Sequence, residues 1–124
     1  MISEVDIRDF PKQEVDPYGK NPHDKGAKLD AGKVPVFSGL FDYFPRACLA
    51  VAEVSAKGAE KYAWKGWETV PDGFKRYSDA LGRHILAEGI EGDIDHQTDC
   101  LHAAQAAWNA FARLELKLRG METK

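Results

Sequence analysis

The stretch RYSDALGRHILAEGIEGDIDHQTDCLHAAQAAWN, from Arg76 to Asn109, constrains this chain most: it sets two helix-period segments around an acidic, glycine-containing turn. Pro71-Asp72-Gly73 breaks the chain, and the spacing predicts a helix over about Gly73 to Ala87. Phe74, Tyr77, Leu81 and Ile85 form its apolar face, Arg76, Asp79 and Arg83 a separate polar face, with His84 at the apolar edge. Gly89 through Asp95 closes that helix. Asp95 is placed to N-cap the next, which is expected to run from about His96 to Arg119 with Asp99 in its first turns.

The second of these helices carries the more informative pattern. Leu101, Ala104, Trp108 and Phe111 project to one side, and Asp99, His102, Gln105, Asn109 and Arg113 to the other. A solvated face usually carries long flexible Lys and Glu, whereas Asp, His, Gln and Asn in series are short groups suited to a fixed geometry. Each would cost ~1–3 kcal/mol if buried without a partner. The stripe must therefore face water or something that satisfies it.

Upstream, residues 1 to 27 mix Pro, Gly, Asp and Lys without period, which predicts an irregular arm with one short extended piece at Val5 to Phe10. Residues 28–124 form the expected folded domain. Lys28 to Leu40 places Lys28, Lys33 and two glycines before an apolar segment, where basic side chains and free amides can hold a phosphate. Pro45 suits the first turn of a helix continuing to about Tyr62. On it Ala47, Cys48, Val51, Val54 and Gly58 share one face and Glu53, Lys57 and Glu60 another, with Glu53 and Lys57 at i,i+4. Trp64 and Trp67 flank Lys65 as a core corner or a platform for a base, core packing being the simpler reading.

Strand signal is weak after residue 40, so the fold class is all-α: a small bundle of three helices behind an irregular N-terminal arm. Trp108, Phe111, Leu114 and Leu116 offer more apolar surface than so small a monomer covers, which predicts a homo-oligomer, a dimer or tetramer. A net charge of -3 gives no basic face for direct nucleic-acid binding. No run approaches the ~20 apolar residues of a membrane span. The two cysteines, Cys48 and Cys100, sit in apolar helical patterns without a C-x-x-C, as expected of a reduced, cytoplasmic protein.

The chemistry this set supports is metal-assisted attack of water on a phosphoanhydride. Magnesium or manganese takes carboxylates, which Glu53, Asp79, Glu91, Asp93, Asp95 and Asp99 supply, and His84 or His102 can complete or orient the shell. Lys57, Lys61, Arg76 and Arg83 provide counter-charge for phosphates. No H-E-x-x-H or G-x-S-x-G is present to favour a zinc peptidase or a serine nucleophile. Acidic residues at a helix start also arise for macrodipole reasons alone, so a non-catalytic helical interaction module stands as the alternative.

A series of short motifs adds to this. K-L-D-A-G-K at Lys28 to Lys33, G-A-E-K-Y at Gly58 to Tyr62 followed by Trp67, R-Y-S-D-A at Arg76 to Ala80, and R-H-I-L-A at Arg83 to Ala87 occur in order. G-D-I-D at Gly92 to Asp95 and His102 with Asn109 seven residues on complete it. Together they resemble the phage dATP/dGTP diphosphohydrolases, a branch similar to the MazG-like all-α nucleoside triphosphate pyrophosphohydrolases. The resemblance implies a helical, oligomeric, magnesium- or manganese-dependent enzyme. Its substrates would be purine deoxynucleoside triphosphates, cut between the α and β phosphates to monophosphate and diphosphate. The dGMP released would feed 2-aminoadenine genome synthesis while dATP is depleted. It further implies Glu53, Asp79 and Asp99 as catalytic groups and Glu53, Asp79, His84, Asp95 and Asp99 as metal ligands. Lys33, Lys57, Lys61 and Arg83 would contact phosphates, His102 and Asn109 the sugar or metal shell, and Trp67 the base. MazG-like enzymes carry E-x-x-E on one helix and E-x-x-D on the next. Here Asp99-Cys100-Leu101-His102 takes the second place, no E-x-x-E precedes it, and Asp79 and His84 lie where the first would be.

Overall fold

The computed structural model of the chain describes residues 14–122, and the extended piece expected at Val5 to Phe10 lies outside them. From residue 14 the arm is a run of turns. Asp16 organises it: its carboxylate accepts backbone N–H groups from Tyr18 at 2.7 Å and Lys28 at 2.8 Å, pinning both ends of the turn series. Lys33 pairs with Glu14 at 3.1 Å, so this lysine is engaged within the arm. One π-helical turn, Phe37–Phe41, leads into helix α1, Pro45–Lys61, with Pro45 in its first turn.

A short 3₁₀ turn, Gly66–Thr69, precedes α2, Gly73–Glu91. Two two-residue strands follow, β1 (Ile94–Asp95) and β2 (Cys100–Leu101), and α3 spans His102–Glu122. The fold is all-α, a small bundle in which α2 and α3 run antiparallel. Gly73 at the start of α2 approaches Leu116 late in α3, and Glu91 at the end of α2 bonds His102 at the start of α3. An added Cβ on Gly73 would stand 3.1 Å from Leu116 Cδ1, which explains a small residue there. Helix α1 crosses α3, where Trp108 Nε1–H donates to Ser55 Oγ at 2.9 Å.

Five expectations are corrected. Helix α2 runs past Gly89 to Glu91 and stops at Gly92, whose φ of 104° only glycine adopts readily. Helix α3 begins at His102, not near His96, because residues 94–101 form an antiparallel hairpin pairing Ile94 with Leu101 and Asp95 with Cys100. Asp95 closes its turn instead of capping a helix: its carboxylate accepts the Gln97 N–H at 3.0 Å, and its carbonyl accepts the Asp99 N–H at 2.8 Å. Asp99 is therefore no helical residue; it sits in the left-handed region at φ 62°. Cys100 lies buried in β2 and not in a helix.

Burial along α3 follows side-chain size more than polarity. His102, Gln105 and Asn109 are buried beside Ala104, Ala106 and Ala112, whereas Leu101, Phe111 and Leu114 are exposed. Small alanines let α2 and α3 approach closely, and the interior they leave is polar. It is also satisfied: among the described residues no buried side-chain nitrogen or oxygen lacks a partner. Large apolar side chains meanwhile lie outside, among them Phe37 at 71%, Leu49 at 73% and Ile90 at 83% exposure.

Candidate functional site

The α2–hairpin–α3 junction gathers His84, Asp95 and His102, whose ligating atoms all lie within 4.8 Å of one another. Each element has a local reason to deliver its side chain. Helix α2 extends a turn beyond expectation and presents His84 and Glu91 two turns apart. The hairpin turns Asp95 inward, and its last strand hands directly to His102.

Proton positions follow from the partners. Glu91 Oε1 stands 2.6 Å from His102 Nε2; a carboxylate only accepts, so that ring nitrogen carries the proton. The other His102 nitrogen, Nδ1, lies 3.0 Å from His84 Nδ1, a contact that needs one proton between the two rings. Asp95 uses both oxygens: Oδ1 accepts the Gln97 N–H and Oδ2 the Gln105 amide at 3.1 Å. Gln105 is itself buried, and its carbonyl accepts from Asn109 Nδ2 at 2.8 Å. His102, Gln105 and Asn109, the stripe legible in the sequence, thus run as one bonded column along α3.

These surroundings move two titrations. Burial, then the neighbouring His102, holds His84 below the ordinary histidine value and keeps its ring neutral. Burial pushes the Asp95 carboxyl up, but the Gln97 N–H, the Gln105 amide and the two histidines together outweigh it, and the group ends below its ordinary value.

Two cavities flank the junction. A small one of about 250 Å³ is lined by Arg83, His84, Glu91, Asp95 and His102 among others. A larger cleft of about 680 Å³ opens between α1 and α2, with Tyr62, Trp64, Trp67, Tyr77 and Trp108 as aromatic walls. Arg83 lines both, and Gln105 lines the cleft while bonding Asp95. The cleft wall is rigid. Trp67, Tyr77 and Trp108 pack edge to face in a three-ring cluster, and Tyr77 Oη–H donates to the Trp67 carbonyl at 2.8 Å. Trp64, by contrast, is 68% exposed at the rim.

Of the residues singled out in the sequence, His84, Asp95, His102, Arg83, Asn109 and Trp67 line this pair of cavities. Glu53, Asp79 and Asp99 are exposed and stand outside the His84–Asp95–His102 group. Lys57 and Lys61 are exposed on α1, with Lys61 Nζ 5.3 Å over the Tyr62 ring, and Lys33 stays with Glu14 in the arm. Gln105 holds Asp95 in place, and its position between His102 and Asn109 on one face of α3 is the sequence signal for that role.

Comparison with known proteins follows the same stretch. The family model described as dATP/dGTP diphosphohydrolase, N-terminal, matches residues 23–124. This chain belongs to that family. A relative from Salmonella phage PMBT28 named dATP/dGTP diphosphohydrolase is 39% identical over 82 residues, 66% of this chain and 26% of the relative. The chain thus spans about a quarter of the length of that relative. No solved structure matches. Among the described residues of this family member, no helix is long and apolar enough to cross a membrane.

Proposed function

We propose that this chain hydrolyses the purine deoxynucleoside triphosphates dGTP and dATP between the α and β phosphates, giving monophosphate and diphosphate. The observation that carries the reading is the adjacency of an aromatic cleft of about 680 Å³ to the His84–Asp95–His102 group, with Arg83 lining both cavities. A nucleotide needs a flat apolar surface for its base, a cation for its phosphates and a polar centre where the bond breaks. Family membership and the name of the phage relative supply the substrate class.

In this reading the base lies against Trp64 and the Trp67 side of the cleft, where an exposed ring can stack. Asn109, buried at the cleft floor, offers its free carbonyl oxygen to the sugar. Arg83 holds the phosphates as they pass to the smaller cavity, and Lys57 and Lys61 lend positive charge from α1. Magnesium or manganese, when bound, supplies a more acidic water and a polarised phosphoryl oxygen. The residues present fit a divalent ion, since His84 and His102 offer ring nitrogens and Asp95 a carboxylate held by hydrogen bonds, all within 4.8 Å of one another. Glu91 fixes the ring of His102, and Gln105 fixes Asp95. The dGMP released would then serve 2-aminoadenine nucleotide synthesis, with dATP depleted.

The same reading includes self-association. Phe37, Leu49, Leu86 and Ile90 are large apolar side chains left mostly exposed, which a second copy of the chain would cover.

Steady-state hydrolysis by Arg83→Ala tests the reading. Loss of a charge-assisted phosphate contact should raise KM for dGTP by about 10- to 100-fold. An unchanged KM, or no hydrolysis of any dNTP by the parent chain, overturns it.

A further inference from the structure

We infer that His84, Asp95 and His102 hold a single transition-metal ion in a two-histidine, one-carboxylate arrangement that discriminates against magnesium. This deepens the hydrolase reading by naming the class of ion at the same site, yet it rests on geometry that can be tested with no nucleotide present.

The first support is the spacing of the imidazoles. Two ligands at right angles on one ion, each about 2.1 Å from it, stand about 3.0 Å apart, whereas tetrahedral ligands stand about 3.4 Å apart. His84 Nδ1 and His102 Nδ1 are 3.0 Å apart. The pair is thus set for neighbouring positions of a six-coordinate shell, with an Asp95 carboxylate oxygen within 4.8 Å of both to take a third.

The second support is what stands behind each ligand. His102 Nε2–H donates to Glu91, leaving Nδ1 as the coordinating atom, which is the carboxylate–histidine–metal arrangement. Asp95 is held through one lone pair of each oxygen by the Gln97 N–H and the Gln105 amide, which leaves others free. Binding requires the proton between the two rings to leave that contact, which His84 allows by carrying it on Nε2. The adjoining cavity of about 250 Å³ has room for several waters at about 30 Å³ each, enough for the remaining positions of the shell.

The third is ligand chemistry. Magnesium takes oxygen ligands and retains its waters, whereas imidazole nitrogens suit iron, nickel, copper and zinc, with cobalt between iron and nickel in affinity. A site with two of its three protein ligands nitrogen is a poor magnesium site. A plain histidine–histidine hydrogen bond is the competing account of the same 3.0 Å contact.

Chelator-stripped full chain should be titrated with cobalt, manganese and magnesium chlorides by calorimetry, with the visible absorption of cobalt recorded alongside. One cobalt ion per chain is expected, bound more tightly than manganese, with magnesium weaker than cobalt by at least ~100-fold and a weak, six-coordinate cobalt spectrum. Glu91→Gln, at a half-exposed side chain where the amide oxygen can still accept from His102, should weaken cobalt binding by about 10- to 100-fold. His84→Ala should abolish binding while far-ultraviolet circular dichroism keeps the helical signal. No cobalt binding by the parent chain, equal affinity for magnesium, or full affinity in a folded His84→Ala variant overturns the proposal. Cobalt bound at these residues without hydrolysis of any dNTP supports this site and sinks only the hydrolase reading.

Discussion

Replacing Asp95 separates what this side chain does for the fold from what it does for the chemistry. Its carboxylate accepts from Gln97 N–H and from the Gln105 amide, and Gln105 is only 8% exposed. Asp95→Ala leaves the Gln105 donor buried and unpaired, a cost of ~1–3 kcal/mol, while the Gln97 N–H lies in an exposed turn where water replaces the bond for ~0.5 kcal/mol. The expected loss is about 2–3 kcal/mol. Asp95→Asn is different, because one amide oxygen still accepts from Gln97 and its NH₂ can donate to the Gln105 carbonyl after that amide turns over. Its expected loss is below ~1 kcal/mol. Both remove the negative charge and should lower dGTP turnover by at least ~100-fold. Urea unfolding followed by circular dichroism, at one protein concentration, gives the two stabilities. Equal destabilisation by Ala and Asn, or a loss under ~0.5 kcal/mol for Ala, refutes the bonding scheme drawn around Gln105.

Other outcomes follow from the same geometry. Asp99 holds a left-handed backbone at φ 62° and lies outside the ligand group, so Asp99→Gly should gain up to ~1 kcal/mol in thermal unfolding and leave cobalt affinity unchanged. Both His84 and Asp95 titrate below their ordinary values of 6.5 and 3.8, so each binds protons more readily in the unfolded chain. Stability in chelator should be complete above about pH 6.5, fall as pH drops below it through His84, and fall again below about 3.8 through Asp95. Stability that rises on acidification between pH 6.5 and 5 would contradict the assignment of a neutral His84. Trp64→Ala at the exposed rim should change stability by under ~0.5 kcal/mol yet raise KM for purine dNTPs by about 10-fold, as loss of a stacking ring does. Sedimentation should give a dimer or larger species, and a monomer at micromolar concentration would remove the covering proposed for Phe37, Leu49 and Ile90.

Much of the fold was legible because its signals are local. Pro45, the Pro71-Asp72-Gly73 break and the helical period of α1 and α2 each act within a few residues, and they place those helices nearly as observed. The hairpin at 94–101 was not legible. Strands of two residues carry no period to read, and Asp95 followed by polar residues signals an N-cap as readily as the turn it makes. That one ambiguity moved the start of α3 to His96 and set Asp99 on a helix. It also hid why Asp95 meets His84 and His102, since the hairpin is what folds it back between them. The polar stripe His102, Gln105 and Asn109 was visible as a pattern, and its short side chains signalled order. Its burial was not, because the alanines that admit it look like spacers until α2 packs on them. Glu53 and Asp79 are carboxylates that the sequence offers on α1 and α2, and both are exposed outside the His84–Asp95–His102 group.

Phosphorus NMR of the full chain incubated with dGTP and manganese, compared with Asp95→Asn, tests the central claim most directly. The account predicts that dGMP and diphosphate accumulate together with the parent chain and that neither forms with the variant. Release of single phosphate with dGDP, or no change in dGTP or any other dNTP, would contradict it.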